Sequence, residues 1–280
     1  MKYKIEKNTV QETLIIPLYA RKVCSELYPD LYRDETAVRL IGEINYDFSQ
    51  AEKNARGLMQ RFGSLEVAMR QNDLAFEVRD YLKDHPNAAV VNLGCGLDST
   101  GKACDNGSCS IYNLDFPDVI AVRNELLPAG EREKNIPCNL NDTAWFSQID
   151  ASKGAVFFAS GVFYYFLTEQ VQALVQAMAE AFPGGVLVFD GANRTAVKMI
   201  AKTWLKSAKI QNVGAYFAVT DAPKEIGPWD SRLQVTSRGY MLGYNDLKAP
   251  SVSGFFRFLA RVGDGMMKMQ IVKIGFGGKQ

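Results

Sequence analysis

The pattern of apolar and polar residues changes near residue 85. Before it, apolar residues recur at helical spacing, which predicts helices over 10–27, 34–44 and 64–85 and no strand. Asp34 and Ser64 stand where N-cap residues are expected for the second and third of these helices. The first part of the chain is therefore expected to be helical.

After residue 85, short apolar runs alternate with amphipathic stretches of helical period. Strands are predicted over 88–93, 110–115, 134–140, 154–160, 184–192 and 268–277, and helices over 116–127, 168–182, 195–208 and 254–262. Such alternation predicts an α/β fold with a doubly wound, mostly parallel sheet and right-handed crossovers. Pro137 cannot donate a ladder hydrogen bond, which places the third strand at a sheet edge. Residues 208–250 are rich in turn formers and are expected to be an insertion near the pocket of the acceptor molecule.

Charge and hydropathy exclude several classes of protein. The formal net charge is +1, so no global field draws the chain to nucleic acid or to an anionic membrane. The longest apolar run, 155–167, is shorter than the roughly 20 residues that a membrane helix needs. The opening MKYKIEKNTVQETL is too charged for a signal peptide, and five irregularly spaced cysteines do not form a secreted disulfide framework. A cytoplasmic enzyme without nucleic-acid or membrane partners is the expectation.

The stretch AAVVNLGCGLDST, residues 88–100, carries the first chemical signal. Gly94 and Gly96 follow the first predicted strand, at the edge where parallel sheets bind ligands, and we attribute their missing side chains to the close approach of a ligand. The next strand ends in Asp115, 19 positions after Gly96. A carboxylate at this distance suits the hydroxyls of a ribose. A tight strand-to-helix turn without a ligand is the alternative interpretation of the glycines.

Two classes of cofactor fit a glycine turn with a ribose carboxylate. A nicotinamide dinucleotide needs a third glycine where this chain has Ser99, and Asp98 places an anion where the pyrophosphate lies. S-adenosylmethionine has no phosphate, so neither residue opposes it. The turn therefore favours S-adenosylmethionine, with S-adenosylhomocysteine as product, over a nicotinamide cofactor.

Five stretches of the chain carry a family resemblance. VVNLGCGLDS, IYNLDFPDVIAVRNELLP, CNLND, FFASGVFYYF and FPGGVLVFDGANR occur in the order found in the leucine carboxyl methyltransferase-like family. Within it, the chain resembles most the branch of the tetracenomycin polyketide O-methyltransferase. The resemblance implies a seven-stranded, Rossmann-like methyltransferase sheet. It also implies an N-terminal helical cap over 1–84 and an S-adenosylmethionine-binding domain over 85–280.

The same resemblance implies roles for nine residues toward the cofactor. Gly94, Cys95 and Gly96 would line the methionine part, Asp115 would hold the ribose hydroxyls, and Asn139 and Leu140 would flank the adenine. Arg70 would pair with the cofactor's carboxylate through its planar fork. Arg21 is a second basic partner or a surface charge, and Ser160 ends the fourth strand beside the cofactor.

Two positions depart from the family pattern. The family commonly has an arginine where this chain has Thr100, and often a glutamate where it has Ser160. Both departures remove charge near the cofactor. They leave altered cofactor affinity, a different acceptor, or a protein that binds the cofactor without catalysis as open interpretations.

Methylation of an alcohol or phenol requires that a proton be removed, often by histidine. The single histidine, His85, precedes the first strand and so is expected at the opposite end of the sheet, in a structural role. Either another residue is the base, or the acceptor is already an anion. The residues expected to shape the acceptor site follow the fourth and fifth strands: Phe163, Tyr164, Tyr165, Asn193 and Arg194.

The predicted function is S-adenosylmethionine-dependent O-methylation of a small molecule, either a polyketide-like phenol or a carboxylic acid. The alternatives are carboxyl methylation of a protein C-terminus, as in the other branch of the family, and a catalytically degenerate cofactor-binding protein. No metal site is expected. The stretch CDNGSC, with Cys104 and Cys109 at its ends, is typical of a turn, and the sequence offers these cysteines no histidine or C-x-x-C partner.

Overall fold

The computed structural model of the protein describes residues 2–5, 10–200 and 216–277. Its strands are β1 (Tyr3–Lys4), β2 (Ile44–Asn45), β3 (Ala89–Leu93), β4 (Ser110–Asp115), β5 (Glu133–Pro137), β6 (Ala155–Ala159), β7 (Val186–Gly191), β8 (Leu233–Gly239) and β9 (Gln270–Phe276). Its α-helices are α1 (Val10–Leu27), α2 (Glu35–Glu43), α3 (Ser49–Ala55), α4 (Leu58–Asp84), α5 (Thr100–Ala103), α6 (Pro117–Leu126), α7 (Thr168–Ala181), α8 (Arg194–Ile200), α9 (Ala222–Ile226) and α10 (Gly254–Gly265).

Seven strands form one sheet in the order β5-β4-β3-β6-β7-β9-β8. All neighbours pair in parallel except at β9, which is antiparallel to both β7 and β8. The predicted α/β fold with a doubly wound, mostly parallel sheet is confirmed. The strand that ends in Pro137 lies at an edge, as its missing N–H predicted.

Strand β3 is the point at which the direction of the chain across the sheet reverses. It pairs with β4 on one side and with β6 on the other, so Leu93 lies between Leu114 and Ala159. All five residues of β3 are buried, which explains the unbroken apolar run in the sequence. The carboxyl ends of three parallel strands therefore meet at one place, where α/β sheets bind ligands.

The side chains of β3 divide between two hydrophobic clusters, one on each face of the sheet. Ala89, Val91 and Leu93 belong to a cluster that includes α7, whereas Val90 belongs to one that includes the second half of α4. Alternating side chains of a strand point to opposite faces, so helices cover the sheet on both sides.

Helix α4 joins the N-terminal helices to the sheet. Its first half shares a hydrophobic cluster with residues of α1, β7, β9 and α10, so a single core connects the helical segment to the sheet. Residues from Phe62 to Leu82 are buried on several sides of the helix, which obscures an amphipathic stripe. The division of the chain into a cap over 1–84 and a cofactor domain over 85–280 stays a prediction.

The structure corrects three predicted boundaries. Residues 233–239 form β8, so this part of the range expected to be an insertion belongs to the central sheet. Ser64 lies inside α4, where its hydroxyl donates to the Gln60 carbonyl, because the helix begins at Leu58. The segment expected to lack strands contributes β1 and β2, which pair with each other in parallel.

Other boundaries agree with the patterns that predicted them. The Asp34 carboxylate accepts from Ala37 N at 2.8 Å, which confirms it as the cap of α2. The helix predicted over 195–208 is described as far as Ile200, and the rest of it lies outside the described residues. No helix within the described ranges is long and apolar enough to cross a membrane.

The hydrophobic cluster on the side of the sheet that α7 covers should contribute strongly to the free energy of unfolding. The ring of Phe157 is fully buried, with its centroid 4.7 Å from that of Phe182 and 6.2 Å from that of Trp145. Phe157→Ala is expected to lower the free energy of unfolding by about 3–5 kcal/mol in urea titrations, through lost burial and the cavity left behind. Phe258→Ala, at a site that is 55% exposed, is the control and should change it by less than about 0.5 kcal/mol. Equal losses in the two variants would contradict this description of the core.

Candidate active site

A cavity of about 440 Å³ opens at the carboxyl ends of β3, β4, β5 and β6. Its volume falls within the range of small-molecule sites, and its position is the switch point of the sheet. Most of the residues predicted to bind the cofactor line it: Arg21, Arg70, Gly94, Cys95, Gly96, Asp115, Leu140 and Ser160. Residues far apart along the chain are therefore brought to one site, and the hydrogen bond from Arg21 to the Leu97 carbonyl, 76 positions away, is one example.

The backbone of the turn after β3 favours glycine for a conformational reason. Gly94 and Gly96 have φ angles of 65° and 47°, in the left-handed region that favours glycine. A Cβ atom on Gly94 would lie 2.6 Å from Cγ2 of Val162. The backbone conformation and the contact with Val162 are therefore sufficient reasons for glycine at position 94, and the close approach of a ligand stays a prediction.

Two buried arginines hold the carbonyl groups of this turn. Arg123 Nη1 donates to the carbonyls of Gly96 at 3.0 Å and Asp98 at 2.7 Å, and Arg21 Nη2 donates to that of Leu97 at 2.9 Å. Arg21 Nε also donates to Asp34 at 2.9 Å. Arg21 is thus a buried support of the turn, and the interpretation as a surface charge is wrong.

Arg123 is a residue that the sequence analysis missed. It is 2% exposed and lies on α6, three residues before the buried Leu126 and four after the buried Val119. A cation at an apolar position of an amphipathic helix signals a buried hydrogen-bonding role, because such a charge is buried only when it is paired. That signal was present in the sequence.

Asp115 ends β4 beside the turn. Its Oδ2 accepts from Gly96 N at 2.8 Å, and its Oδ1 accepts from Phe116 N at 2.8 Å. Burial raises the pKa of the Asp115 carboxyl, and the two backbone donors oppose that rise. Each carboxylate oxygen has a second lone pair for an additional donor, which is what a ribose hydroxyl requires.

Arg70 and Gln71 line the cavity, and each has a buried polar atom without a hydrogen-bond partner among the described residues. Arg70 Nη1 donates to Asp190 Oδ2 at 3.1 Å, but Arg70 Nε is buried with no hydrogen-bond partner among the described residues. Gln71 Oε1 is likewise buried without a partner there. A free donor and a free acceptor on consecutive residues of α4 suit a carboxylate and an ammonium group. The residues present therefore fit the amino-acid end of S-adenosylmethionine.

The far end of the cavity lies beside the segment after β5. Cys138, Leu140 and Asn141 line it, together with Phe116. The Asn139 side chain is exposed, with its Oδ1 accepting from Asn141 N at 3.1 Å, and it does not line the cavity. The expected position of Asn139 against the adenine is corrected, because the turn points its side chain outward and brings Asn141 to the cavity instead.

The segment after β6 supplies an apolar wall. Val162, Tyr165 and Phe166 line the cavity beside Ser160 and Gly161. Tyr165 as a whole is 46% exposed, but desolvation of its hydroxyl raises the pKa of that group, which stays protonated at neutral pH. Of the expected acceptor residues in this segment, Tyr165 is thus placed in the cavity.

Four other sequence-predicted residues lie away from the cavity. Tyr164 and Phe163 are buried beneath it, and the Tyr164 hydroxyl hydrogen-bonds to Asp190. Asn193 donates to the Met266 carbonyl at 2.8 Å and accepts from Ala196 N at 3.0 Å, so it caps α8. Arg194 is exposed. None of the four lines the cavity that the described residues form, and their expected contacts with an acceptor are corrected.

His85 and the cysteines of CDNGSC have local partners. The His85 ring packs against Tyr81 at 4.5 Å, in the segment that precedes β3 and hence at the opposite end of the sheet from the cavity. Cys104 Sγ lies 3.7 Å from the Ala75 carbonyl, and Cys109 Sγ lies 3.7 Å from Asp105. Across the described ranges, no group of three or more potential ligands is placed to hold a metal ion.

The fold and the cavity define a class of protein. A candidate methyltransferase from Thermobifida fusca has the same fold, with a TM-score of 0.57 and 18% identity over 92% of this chain and 94% of its own. The model of the leucine carboxyl methyltransferase family matches residues 17–179, which is more than half of the chain. The chain therefore belongs to the leucine carboxyl methyltransferase family, and its class is that of S-adenosylmethionine-dependent methyltransferases.

Two named relatives add detail. The chain is 27% identical to the tetracenomycin polyketide synthesis O-methyltransferase of Streptomyces glaucescens over 182 residues, which span 65% of each protein. It is 24% identical to an S-adenosylmethionine-dependent methyltransferase of Gibberella zeae over 280 aligned residues, which span 94% of this chain and 92% of that relative. The first alignment thus covers slightly less than two thirds of the relative.

The carboxylate of Asp115 should be needed for cofactor binding. Asp115→Asn keeps the size of the side chain and removes the charge, so the affinity for S-adenosylhomocysteine should fall about tenfold by titration calorimetry. Asp118→Asn is the matched control, because Asp118 is exposed on the adjacent helix α6. The affinity of this variant for S-adenosylhomocysteine should equal that of the wild type. Unchanged affinity in Asp115→Asn would remove Asp115 from the cofactor site.

Buried carboxyl groups near Arg70 affect the electrostatics of α4. Burial raises the pKa of Glu66 to about 7, of Asp73 to about 8 and of Asp264 to about 7. Asp73 is 2% exposed and accepts from Met241 N at 2.8 Å, so it ties α4 to the segment after β8. A neutral carboxyl is favoured at each of these three sites.

Stability should therefore fall as the pH rises. Between an ordinary carboxyl pKa of about 4 and these raised values, the folded protein binds more protons than the unfolded chain, so each pH unit lowers the free energy of unfolding. The melting temperature should decrease from pH 5.5 to 8.5, and Asp73→Asn should flatten that decrease. Asp84→Asn, at the exposed end of α4, should leave the slope unchanged. A melting temperature that rises over this interval would contradict the argument.

Proposed function

We propose that this protein transfers the methyl group of S-adenosylmethionine to an oxygen atom of a small acidic molecule, either a polyketide-like phenol or a carboxylic acid. The observation that carries the proposal is the chemistry of the cavity lining. Among the described residues, that lining contains no histidine and no lysine. An acceptor that arrives as an anion needs no enzymic base, and carboxylic acids and conjugated phenols meet that condition.

The cofactor, when bound, supplies an electrophilic methyl carbon on its sulfonium. We assign Arg70 Nε to its carboxylate and Asp115 to its ribose hydroxyls, with Gly94, Cys95 and Gly96 beside the methionine part. Leu140 and Asn141 flank the adenine, and Ser160 lies at the end of β6 near the reacting centre. Arg21 acts on the cofactor through the turn, since two of its donors are engaged by Leu97 and Asp34. With these assignments, the main contribution of the protein to the reaction rate is to hold the cofactor in position for the transfer.

The protonation states of the lining support an anionic acceptor. Tyr165 stays protonated and can donate a hydrogen bond, but it cannot take a proton from an acceptor at neutral pH. The Asp98 carboxylate is occupied by Asn92 at 3.1 Å and by the Thr100 hydroxyl at 2.7 Å. Val162 and Phe166 present an apolar wall that excludes water from the nucleophile.

The named relatives favour a small-molecule acceptor. The Streptomyces enzyme is an O-methyltransferase of polyketide synthesis, and its similarity covers 65% of this chain. The acceptor site would be formed by the wall after β6 and by Leu14 and Pro17 of α1, which line the same cavity.

The test is a transfer assay with S-adenosylmethionine labelled in its methyl group. Purified protein is incubated with a panel of phenols, a panel of carboxylic acids, and peptides with a free C-terminal carboxylate. We expect label in a small-molecule product, and alkaline hydrolysis distinguishes a methyl ester, which releases methanol, from a methyl ether, which does not. Arg70→Gln should reduce transfer at least about tenfold, through loss of a charge-assisted hydrogen bond.

Arg39→Gln is the control for that variant, since Arg39 forms an exposed ion pair with Glu43 on α2. Label in the peptides alone would replace the proposal with protein carboxyl methylation. Binding of S-adenosylhomocysteine without transfer to any acceptor would indicate a cofactor-binding protein without catalysis.

A further inference from the structure

Asp190 forms a buried junction beneath the cavity. It is 3% exposed and is the next-to-last residue of β7, so its carboxylate lies at the edge of the sheet that carries the cavity. Oδ2 accepts from Arg70 Nη1 at 3.1 Å, and Oδ1 accepts from Gly161 N at 2.6 Å. The Tyr164 hydroxyl hydrogen-bonds to the same carboxylate. The Asp190 side chain thus joins α4, the turn after β6 and the short 3₁₀ helix Phe163–Tyr165 that follows it.

This junction decides how Arg70 faces the cavity. A guanidinium has five N–H donors in a rigid plane, so fixing one nitrogen on Asp190 fixes the direction of the others. The side chain of Arg70 is 16% exposed and that of Asp190 is 1% exposed, which keeps the pair out of water. Arg70 Nε remains buried without a partner in the part of the chain that the structure describes.

The same carboxylate positions the turn that closes the cavity. Gly161 has a φ of 70°, and a Cβ there would lie 3.0 Å from Arg70 Nη1. The turn therefore packs directly against the guanidinium while its N–H is held by Asp190. Arg70 and the backbone of Gly161 keep their relative positions because both are bonded to one acceptor.

We propose that Asp190 is a positioning residue for the cofactor, which acts by orienting Arg70 toward the cofactor's carboxylate. The proposal rests on the role assigned to Arg70 in the proposed function. If Asp190 only stabilised the fold, its loss would weaken binding of the amino-acid end and of the adenosine end of the ligand equally. We expect instead that loss of the Asp190 carboxylate weakens binding of the amino-acid end of the ligand and does not change binding of the adenosine end.

The experiment compares two ligands that differ in that end. S-adenosylhomocysteine carries the amino-acid group, whereas 5′-methylthioadenosine keeps the adenosine and the thioether and lacks it. In Asp190→Asn, the affinity for S-adenosylhomocysteine should fall at least about tenfold by calorimetry, while that for 5′-methylthioadenosine should stay within about twofold. In an Arg70→Gln background, Asp190→Asn should cause no additional loss, because the interaction through which it acts is already absent.

Two further variants keep the test decisive if Asp190→Asn folds poorly. Tyr164→Phe removes one hydroxyl from the junction and keeps the ring, and it should weaken S-adenosylhomocysteine about threefold, again without changing the affinity for 5′-methylthioadenosine. Asp73→Asn is the matched control, a buried aspartate one turn along α4 from Arg70, and the ratio of the two affinities should not change.

Equal losses for both ligands in Asp190→Asn and Tyr164→Phe would overturn the proposal, as would an undiminished effect of Asp190→Asn in the Arg70→Gln background. These outcomes are separate from a failure of the proposed function. A wild-type protein that binds S-adenosylhomocysteine but methylates no acceptor would contradict that function and leave the role of Asp190 intact.

Discussion

The structure depends on how the chain leaves β3. This strand is buried at every position and is flanked in register by β4 and β6, so the chain must turn sharply at Leu93 between two neighbouring strand ends. Within the turn that results, Asp98 N donates to the Cys95 carbonyl at 2.8 Å, and Cys95, Leu97 and Asp98 are buried. Buried carbonyls need donors, and Arg21 and Arg123 supply them from α1 and α6. The turn, the two helices that support it and the cavity beside it therefore depend on one another.

That arrangement explains why so many charged side chains are buried around one cavity. Arg21, Arg70 and Arg123 each face a carboxylate or several carbonyls, because a buried charge without partners would cost several kcal/mol. Once those partners are satisfied, few buried polar side-chain atoms of the described residues remain without a hydrogen-bond partner. The unpaired Arg70 Nε and Gln71 Oε1 are among them, and they are the atoms that a zwitterionic ligand end requires. The protein therefore holds a preorganised site, in which the ligand completes a network instead of rearranging it.

The sequence pattern located those strands whose burial is visible in neighbouring residues along the chain. The runs of β3, β4, β6 and β7 were found because both faces of these strands are covered, which makes the sequence continuously apolar. Strand β8 was missed since it is an edge strand, partly exposed along most of its length, and its polar residues resemble a loop. Ser64 was taken for a cap because it precedes an apolar run, but Phe62 and Gly63 before it are also buried within the same helix. A helix buried on several sides has no single stripe from which its first residue can be located.

The sequence by itself determined the α/β class, the glycine turn and the acidic residue at the end of the next strand, because these features are set by residues close together along the chain. It also carried the family resemblance through its motifs. Only the tertiary structure decided which polar groups are left for a ligand. Arg21 and Arg70 look alike in the sequence, yet Arg21 donates to Leu97 and Asp34. Arg70 donates to Asp190, 120 positions away, and its buried Nε has no hydrogen-bond partner among the described residues. Hydrogen-bond occupancy is a property of the assembled sheet edge, and no local pattern encodes it.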